Sequence, residues 1–322
     1  MSFRVLATAR SFCTTPGPHH DYLRDHDCQV DLRPPDHPLS AAELAALIPG
    51  YDGVILGLDV CDASVIAAAD RLRVISRYGA GYDKVDLEAA TQRGIVVTNT
   101  PGANRIAVAE LAIGLMFSLA RRIPQVAANA RQGIWSRAQG WELTGKTLGL
   151  IGLGAIGREV AQRALALGMR VLAYDPYVSG TVDGVTLVGL DTLLREAHIV
   201  SLHCAATPET VNLMDAARLA QMRPGAYLVN TARGDLVDED ALYQALVSGQ
   251  LAGAASDVFR HEPPEGSPLL ALDNFIATLH MGSTTAESVE RMALMAAQNL
   301  VAVLRGEPCP YVLNPAALSR QE

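Results

Sequence analysis

The sequence predicts an α/β protein made of two parallel-sheet domains, one inserted into the other. Three observations predict it. The chain has 322 residues, more than one ordinary hydrophobic core serves. Short β-branched runs alternate with Ala-rich runs along most of its length, the pattern of strands joined by helical crossovers. Over residues 148–175, a strand-like run, a glycine turn, a helical run and a second strand-like run ending in an acid follow one another.

Residues 3–9, 52–57, 72–77 and 94–99 read as strands of a first sheet, and 41–47, 63–69 and 86–93 as its helices. His19, His20 and His26, with Cys13 nearby, fall in Pro/Gly-rich sequence without metal-ligand spacing. That stretch reads as a solvated loop, and no metal is expected. Pro101-Gly102 marks a boundary, followed by a long helix over 106–122 and an irregular arm through Trp135 and Trp141. The apolar stretch 106–120 is interrupted by Glu110 and is too short to span a bilayer, so it reads as a buried helix. A second α/β unit begins near Lys146, with later strands at 198–203, 226–230, 252–256 and 275–278. A last helix at 285–304 and the tail from Gly306 return the chain to the first domain. The expected division is 1–100 plus 285–322 for one domain and 101–284 for the other, which takes in the helix and arm at 102–142.

The central motif carries the first functional signal. Gly152-Leu-Gly154-Ala155-Ile156-Gly157 separates a strand from a helix. Gly152 permits the tight turn, Gly154 lets the backbone approach a pyrophosphate, and Gly157 lets the helix pack close on the strand. The helix start offers N–H groups and a positive dipole end to phosphates. Asp175 ends the second strand about 20 residues on, where a carboxylate takes a ribose 2′-hydroxyl. A bare glycine pattern is weak, but strand, helix and acid in register make this a dinucleotide-binding, Rossmann-like unit. The same acid repels a 2′-phosphate, and Pro176, Tyr177 and Val178 supply no arginine. NAD is expected rather than NADP.

Composition excludes some partners. A net charge of −8 argues against nucleic acid, which needs a basic surface. Cys13, Cys28, Cys61, Cys204 and Cys309 form an odd set without paired spacing, as in a reduced, cytoplasmic chain. The start resembles a first strand rather than a signal peptide, and no membrane partner is expected.

Three loops at expected strand ends each carry one group suited to a hydride-transfer site. Arg233 follows the run ending at Asn230, Glu262 lies five residues past Asp257, and His280 follows the run ending at Thr278. Reduction of a 2-oxo acid needs a cation for the carboxylate, a proton donor for the carbonyl, and a group that keeps the donor charged. Arg233 suits the first role through its planar fork. His280 suits the second because imidazole titrates nearest neutrality. Glu262 suits the third, since a neighbouring carboxylate favours imidazolium and orients the ring. Singly, each residue is more often structural or solvated; their order behind a dinucleotide motif outweighs that.

With these residues in view, the sequence resembles the D-isomer-specific 2-hydroxyacid dehydrogenase family, and its D-3-phosphoglycerate dehydrogenase branch most. The matching stretches are 77–87, 99–104, Val108-Ala-Glu-Leu111, the glycine turn, Thr207-Pro-Glu-Thr210, Asn230-Thr-Ala-Arg-Gly234 and 257–263. The resemblance implies two Rossmann-like or flavodoxin-like domains, with the nucleotide domain inserted into the substrate domain. It implies that Arg233, Glu262 and His280 are catalytic and that Asp257 meets the nicotinamide carboxamide. It also implies that Thr207, Thr231, Ala232 and Gly282 lie along the cofactor. For the substrate it implies contacts from Tyr78, Arg233, His280 and the backbone of Ala80 and Gly81, and for the assembly a homodimer built on 106–141.

Some features depart from the branch. The loop after the run at 52–57 reads Gly57-Leu58-Asp59, an acid where phosphoglycerate dehydrogenases usually carry a phosphate-binding arginine. Arg77, Asn104 and Arg105 remain as anion contacts or as structural residues. Met281 stands where the family often has isoleucine, a change conservative in volume. A C-terminal regulatory extension is not expected. The resulting function is NAD-dependent hydride transfer at C2 of a D-2-hydroxy acid or 2-oxo acid, with 3-phosphoglycerate as one substrate. A glyoxylate or hydroxypyruvate reductase shares every residue named. Phosphite dehydrogenase and an NAD(H)-sensing corepressor-like binding protein are the remaining alternatives.

Overall fold

The computed structural model describes residues 2–320. The chain divides into two compact units, Met1–Asn104 with Thr284–Glu322, and Arg105–Ser283. The sequence pattern placed these crossings after residues 100 and 284. The turn before Asn104 stays with the first unit because the Thr100 N–H donates to the Gly79 carbonyl and the Gly79 N–H to the Thr100 hydroxyl.

The first unit opens with β1 (Phe3–Ala7), α1 (Arg10–Thr14), α2 (Pro18–Asp25), β2 (Cys28–Leu32), α3 (Ala41–Leu47) and β3 (Gly53–Leu56). It continues with α4 (Ala63–Ala68), β4 (Val74–Arg77), α5 (Leu87–Gln92) and β5 (Val96–Thr98). The second unit holds α6 (Arg105–Arg121), α7 (Ile123–Arg131), β6 (Thr147–Ile151), α8 (Ala155–Ala166), β7 (Arg170–Tyr174), β8 (Val185–Leu187) and α9 (Leu190–Glu196). After these come β9 (Ile199–Leu202), α10 (Ala216–Gln221), β10 (Ala226–Asn230), α11 (Glu239–Val247), β11 (Leu251–Ser256) and β12 (Phe275–Ala277). The long α12 (Ala286–Arg305) returns to the first unit.

Both sheets are parallel. Their orders are β2-β1-β3-β4-β5 and β12-β11-β10-β9-β6-β7-β8, the flavodoxin-like and Rossmann-like windings. The central strands are apolar on both faces, so alternate side chains feed two cores. In the first unit Val5, Ile55, Val74 and Val96 pack against α12, while Leu6, Val54, Ile75 and Val97 face the α3–α5 side. In the second, Leu148, Leu150, Ile199 and Val229 pack under α6 and α8, while Val200, Leu202 and Leu228 face α9–α11. α12 buries Val289, Met292, Ala293, Ala296, Leu300 and Val303 along one stripe at helical spacing.

Three expectations are corrected. The stretch around His19 and His20 is not a solvated loop: Pro18 starts α2, and His19 is 1% exposed with Nε2 on the Phe12 carbonyl. The arm is helical in its first half (α7) and irregular only afterwards. β2 and β8 carried no strong apolar run; both lie at sheet edges, where pairing on one side tolerates exposed polar residues.

Candidate active site

Sheet order alone brings the three chemistry-bearing loops together. β10, β11 and β12 are neighbours in parallel register, with Asn230 opposite Ser256 and Ser256 opposite Ala277. The next residues, Thr231, Asp257 and Thr278, therefore leave the sheet at one level. Arg233, Glu262 and His280 follow on adjacent loops at the carboxyl edge, where doubly wound sheets place their ligands.

Each loop is fixed locally. Asn230 braces its own turn: Oδ1 accepts from the Ala232 N–H at 3.0 Å, and Nδ2 donates to the Arg233 carbonyl at 2.8 Å. Gly234 opens a 3-10 turn over Gly234–Leu236 that lies against the Glu262 loop. A Cβ on Gly234 would lie 2.0 Å from the Phe259 carbonyl carbon and 2.3 Å from the Arg260 nitrogen. Only glycine permits that approach. It sets Arg233 close enough to Glu262 for its charge to act on that carboxyl. The Arg233 guanidinium also donates to the Ala232 carbonyl at 2.7 Å.

Glu262 uses both oxygens. Oε1 accepts from the Phe259 N–H at 3.0 Å, and Oε2 meets His280 Nδ1 at 2.7 Å. Burial pushes the Glu262 carboxyl up, but the His280 bond and charge, the Phe259 N–H and the Arg233 charge together hold it below the ordinary glutamate value. With a carboxylate accepting at Nδ1, that nitrogen carries the hydrogen, and Nε2 is the atom free to exchange a proton. Both side chains keep about a quarter of their surface in contact with solvent, 25% for Glu262 and 26% for His280. His280 itself holds a left-handed backbone, φ 50°, uncommon for a residue with a Cβ.

The glycine turn has the shape a dinucleotide needs. At Gly152, φ is 97°, and a Cβ there would sit 2.6 Å from the Cys204 nitrogen. A Cβ on Gly157 would lie 2.2 Å from the Gly152 carbonyl oxygen, whereas one on Gly154 would meet nothing within 4 Å. The turn is therefore closed beneath and open above Gly154, a cradle for a phosphate. α8 starts there, through Ala155 and Ile156, without a side-chain cap, which leaves its first N–H groups to a ligand. Asp175 ends β7, with its oxygens on the N–H groups of Leu153 (2.7 Å) and Tyr177 (2.9 Å). The Thr231 hydroxyl is buried without a partner, as expected of a group that meets a ligand. Thr207 opens the turn closed by Thr210. These residues fit NAD.

The other expected substrate residues lie in the first unit. Arg77 is 5% exposed, and its guanidinium donates to the carbonyls of Leu56 and Tyr78. Tyr78 is buried, its ring edge-on to Phe12 at 6.1 Å. The N–H groups of Ala80 and Gly81 find no acceptor in the chain among the described residues. Asn104 has a buried Oδ1 without a partner. In the second unit, Arg105 donates from Nε to Glu159 at 3.1 Å. Sequence reasoning gave Asn230, Gly234 and Thr278 no role. The first two stand inside the quoted Asn-Thr-Ala-Arg-Gly run, but their partners lie on another loop or across a turn. Among the described residues no group of three His, Cys, Asp or Glu side chains is set to hold a metal ion, and no helix is long and apolar enough to cross a membrane.

Comparison with known proteins adds the lineage. Residues 113–282 match the family described as D-isomer specific 2-hydroxyacid dehydrogenase, NAD binding domain. A D-3-phosphoglycerate dehydrogenase of Archaeoglobus fulgidus is 42% identical over 91% of this chain and 56% of its own length. The chain thus spans about half the length of the D-3-phosphoglycerate dehydrogenases it matches. A glyoxylate reductase of Thermofilum pendens is 43% identical over 88% of this chain and 87% of its own length. Among solved structures, the TT0316 protein of Thermus thermophilus is 44% identical, with a TM-score of 0.88 over 96% of this chain and 99% of that one.

Proposed function

The chain belongs to the D-isomer specific 2-hydroxyacid dehydrogenase family, and from that premise we propose that it interconverts a D-2-hydroxy acid and the matching 2-oxo acid. The observation that carries this reading is the Glu262–His280 pair at 2.7 Å, formed between the loops after β11 and β12, with the Arg233 loop after β10 beside them. Bound NADH supplies the hydride that reaches C2. Arg233 grips the substrate carboxylate, and His280 gives its Nε2 proton to the carbonyl oxygen. In the reverse direction Nε2 takes that proton back. Glu262, on Nδ1, keeps the ring in the required tautomer and orientation.

Within this class the loop after β3 favours an unphosphorylated acid. Asp59 is 2% exposed, and its carboxylate accepts from the Thr8 hydroxyl (2.5 Å) and the N–H groups of Leu39 (2.9 Å) and Gly57 (3.1 Å). A Cβ on Gly57 would lie 3.1 Å from the Ala9 Cα, so a long cation at that position would need the backbone to move. Arg77 and Arg105 are already engaged. Glyoxylate and hydroxypyruvate therefore rank above 3-phosphohydroxypyruvate, while the phosphoglycerate dehydrogenase relatives keep the phosphorylated acid as the second reading.

Two further proposals concern setting. A second copy of the chain covers the arm, where Ile134 is 50% and Trp135 90% exposed. The compartment is reducing and cytoplasmic, in keeping with five free cysteines, four of them buried enough to hold their thiols near 11 or 12.

The test follows NADH oxidation with glyoxylate, hydroxypyruvate, pyruvate and 3-phosphohydroxypyruvate, with NADPH as control. We expect turnover with NADH, higher kcat/KM for an unphosphorylated acid, and a loss of ~100-fold or more in kcat for His280→Ala with NADH still bound. No turnover with any acid, together with NADH-dependent capture of a protein, would replace the enzyme by the corepressor-like reading.

A further inference from the structure

We propose that Asp257 is a positioning residue that holds the His280 loop in its proton-transferring conformation. Asp257 leaves the end of β11 and is 2% exposed. Its Oδ1 accepts from the Thr278 hydroxyl at 2.6 Å and the Met281 N–H at 2.9 Å, and its Oδ2 from the Gly282 N–H at 2.8 Å. Its own carbonyl accepts from the His280 N–H at 2.6 Å, and its own N–H donates to the Asn230 carbonyl at 2.9 Å. One residue thus clasps the loop before, at and after His280, and ties it to the end of the strand that leads into the Arg233 loop.

The loop needs such a clasp. His280 holds a left-handed backbone that a side-chain-bearing residue adopts only when its surroundings force it. Its neighbours give little packing, since Leu279 is 74% and Met281 47% exposed. The carboxylate in turn needs these donors, because a buried charge without them is strongly penalised. The fit also explains Gly282, where a Cβ would lie 3.0 Å from Asp257 Oδ2. The resemblance of sequence implied contact with the nicotinamide carboxamide. In the structure the carboxylate is engaged first by the chain itself.

This inference rests on His280 as proton donor, but its test separates the two. In Asp257→Asn one oxygen becomes an amide that opposes an N–H. Amide exchange at Met281 and Gly282 should accelerate, and kcat should fall by ~10- to 100-fold, while the Kd for NADH measured by fluorescence stays within ~3-fold. Thr278→Val removes one donor and leaves the carboxylate, so it should show the same pattern more weakly and serves if the first variant does not fold. Unchanged exchange at Met281 and Gly282 would overturn the proposal. So would an NADH Kd raised tenfold or more with kcat preserved at saturating NADH, which is the signature of a cofactor contact. Absence of turnover in the unaltered protein would count against the enzymatic reading alone, because the exchange measurement still decides the clasp.

Discussion

Glu262 shows how a single side chain is set by opposed forces. Burial favours its neutral form, while an imidazole, a backbone N–H and a guanidinium favour the carboxylate, and the second group prevails. A carboxyl whose native pKa lies below its unfolded value contributes stability that is complete above the unfolded value. That contribution is lost as pH falls through the native one. The stability gap between the unaltered protein and Glu262→Gln should therefore be widest above about pH 6 and shrink toward about pH 3. Urea unfolding midpoints across that range check it, and a gap that widens on acidification would reverse the sign assigned here. Arg233, Glu262 and His280 were legible as candidates from their residue types in strand-end loops, and the structure brings them onto adjacent loops. Gly234 was not, because its need for glycine comes from the Phe259–Arg260 peptide on another loop.

At the scale of elements, the turn between β6 and α8 makes a contrast testable. Gly157 is walled in by the Gly152 carbonyl, whereas Gly154 faces open space. Gly157→Ala should cost ~1–3 kcal/mol of stability through overpacking. Gly154→Ala should leave Tm almost unchanged and weaken NADH binding several-fold, since its methyl group occupies the approach of the pyrophosphate. Calorimetry and fluorescence titration of both variants decide the matter; equal losses of Tm would show that Gly154 is structural. This turn was readable because its signal is local, a strand, three glycines and a helix within one run. α2 was not. Gly17, Pro18 and paired histidines look like loop, yet contacts between α2 and α12 and between His19 and Phe12 make the segment a helix with a buried face.

For the molecule as a whole, the exposed apolar residues of the arm bear on assembly. Trp135 with 90% of its surface free is unusual for a large aromatic side chain. If a second copy covers it, sedimentation should show a dimer at micromolar concentration, and Trp135→Glu should release monomers. A monomeric unaltered protein would remove the proposal. The sequence by itself determined the alternation of elements, the dinucleotide turn and the three loop groups, because hydrophobic period, glycine spacing and acid placement are properties of neighbouring residues. Tertiary structure alone decided which strands lie at the edges, that Arg77 spends its guanidinium on carbonyls, and that Asp257 grips the loop of His280. These outcomes depend on groups about 20 or more residues away, whose approach is fixed only when parallel strands align their ends.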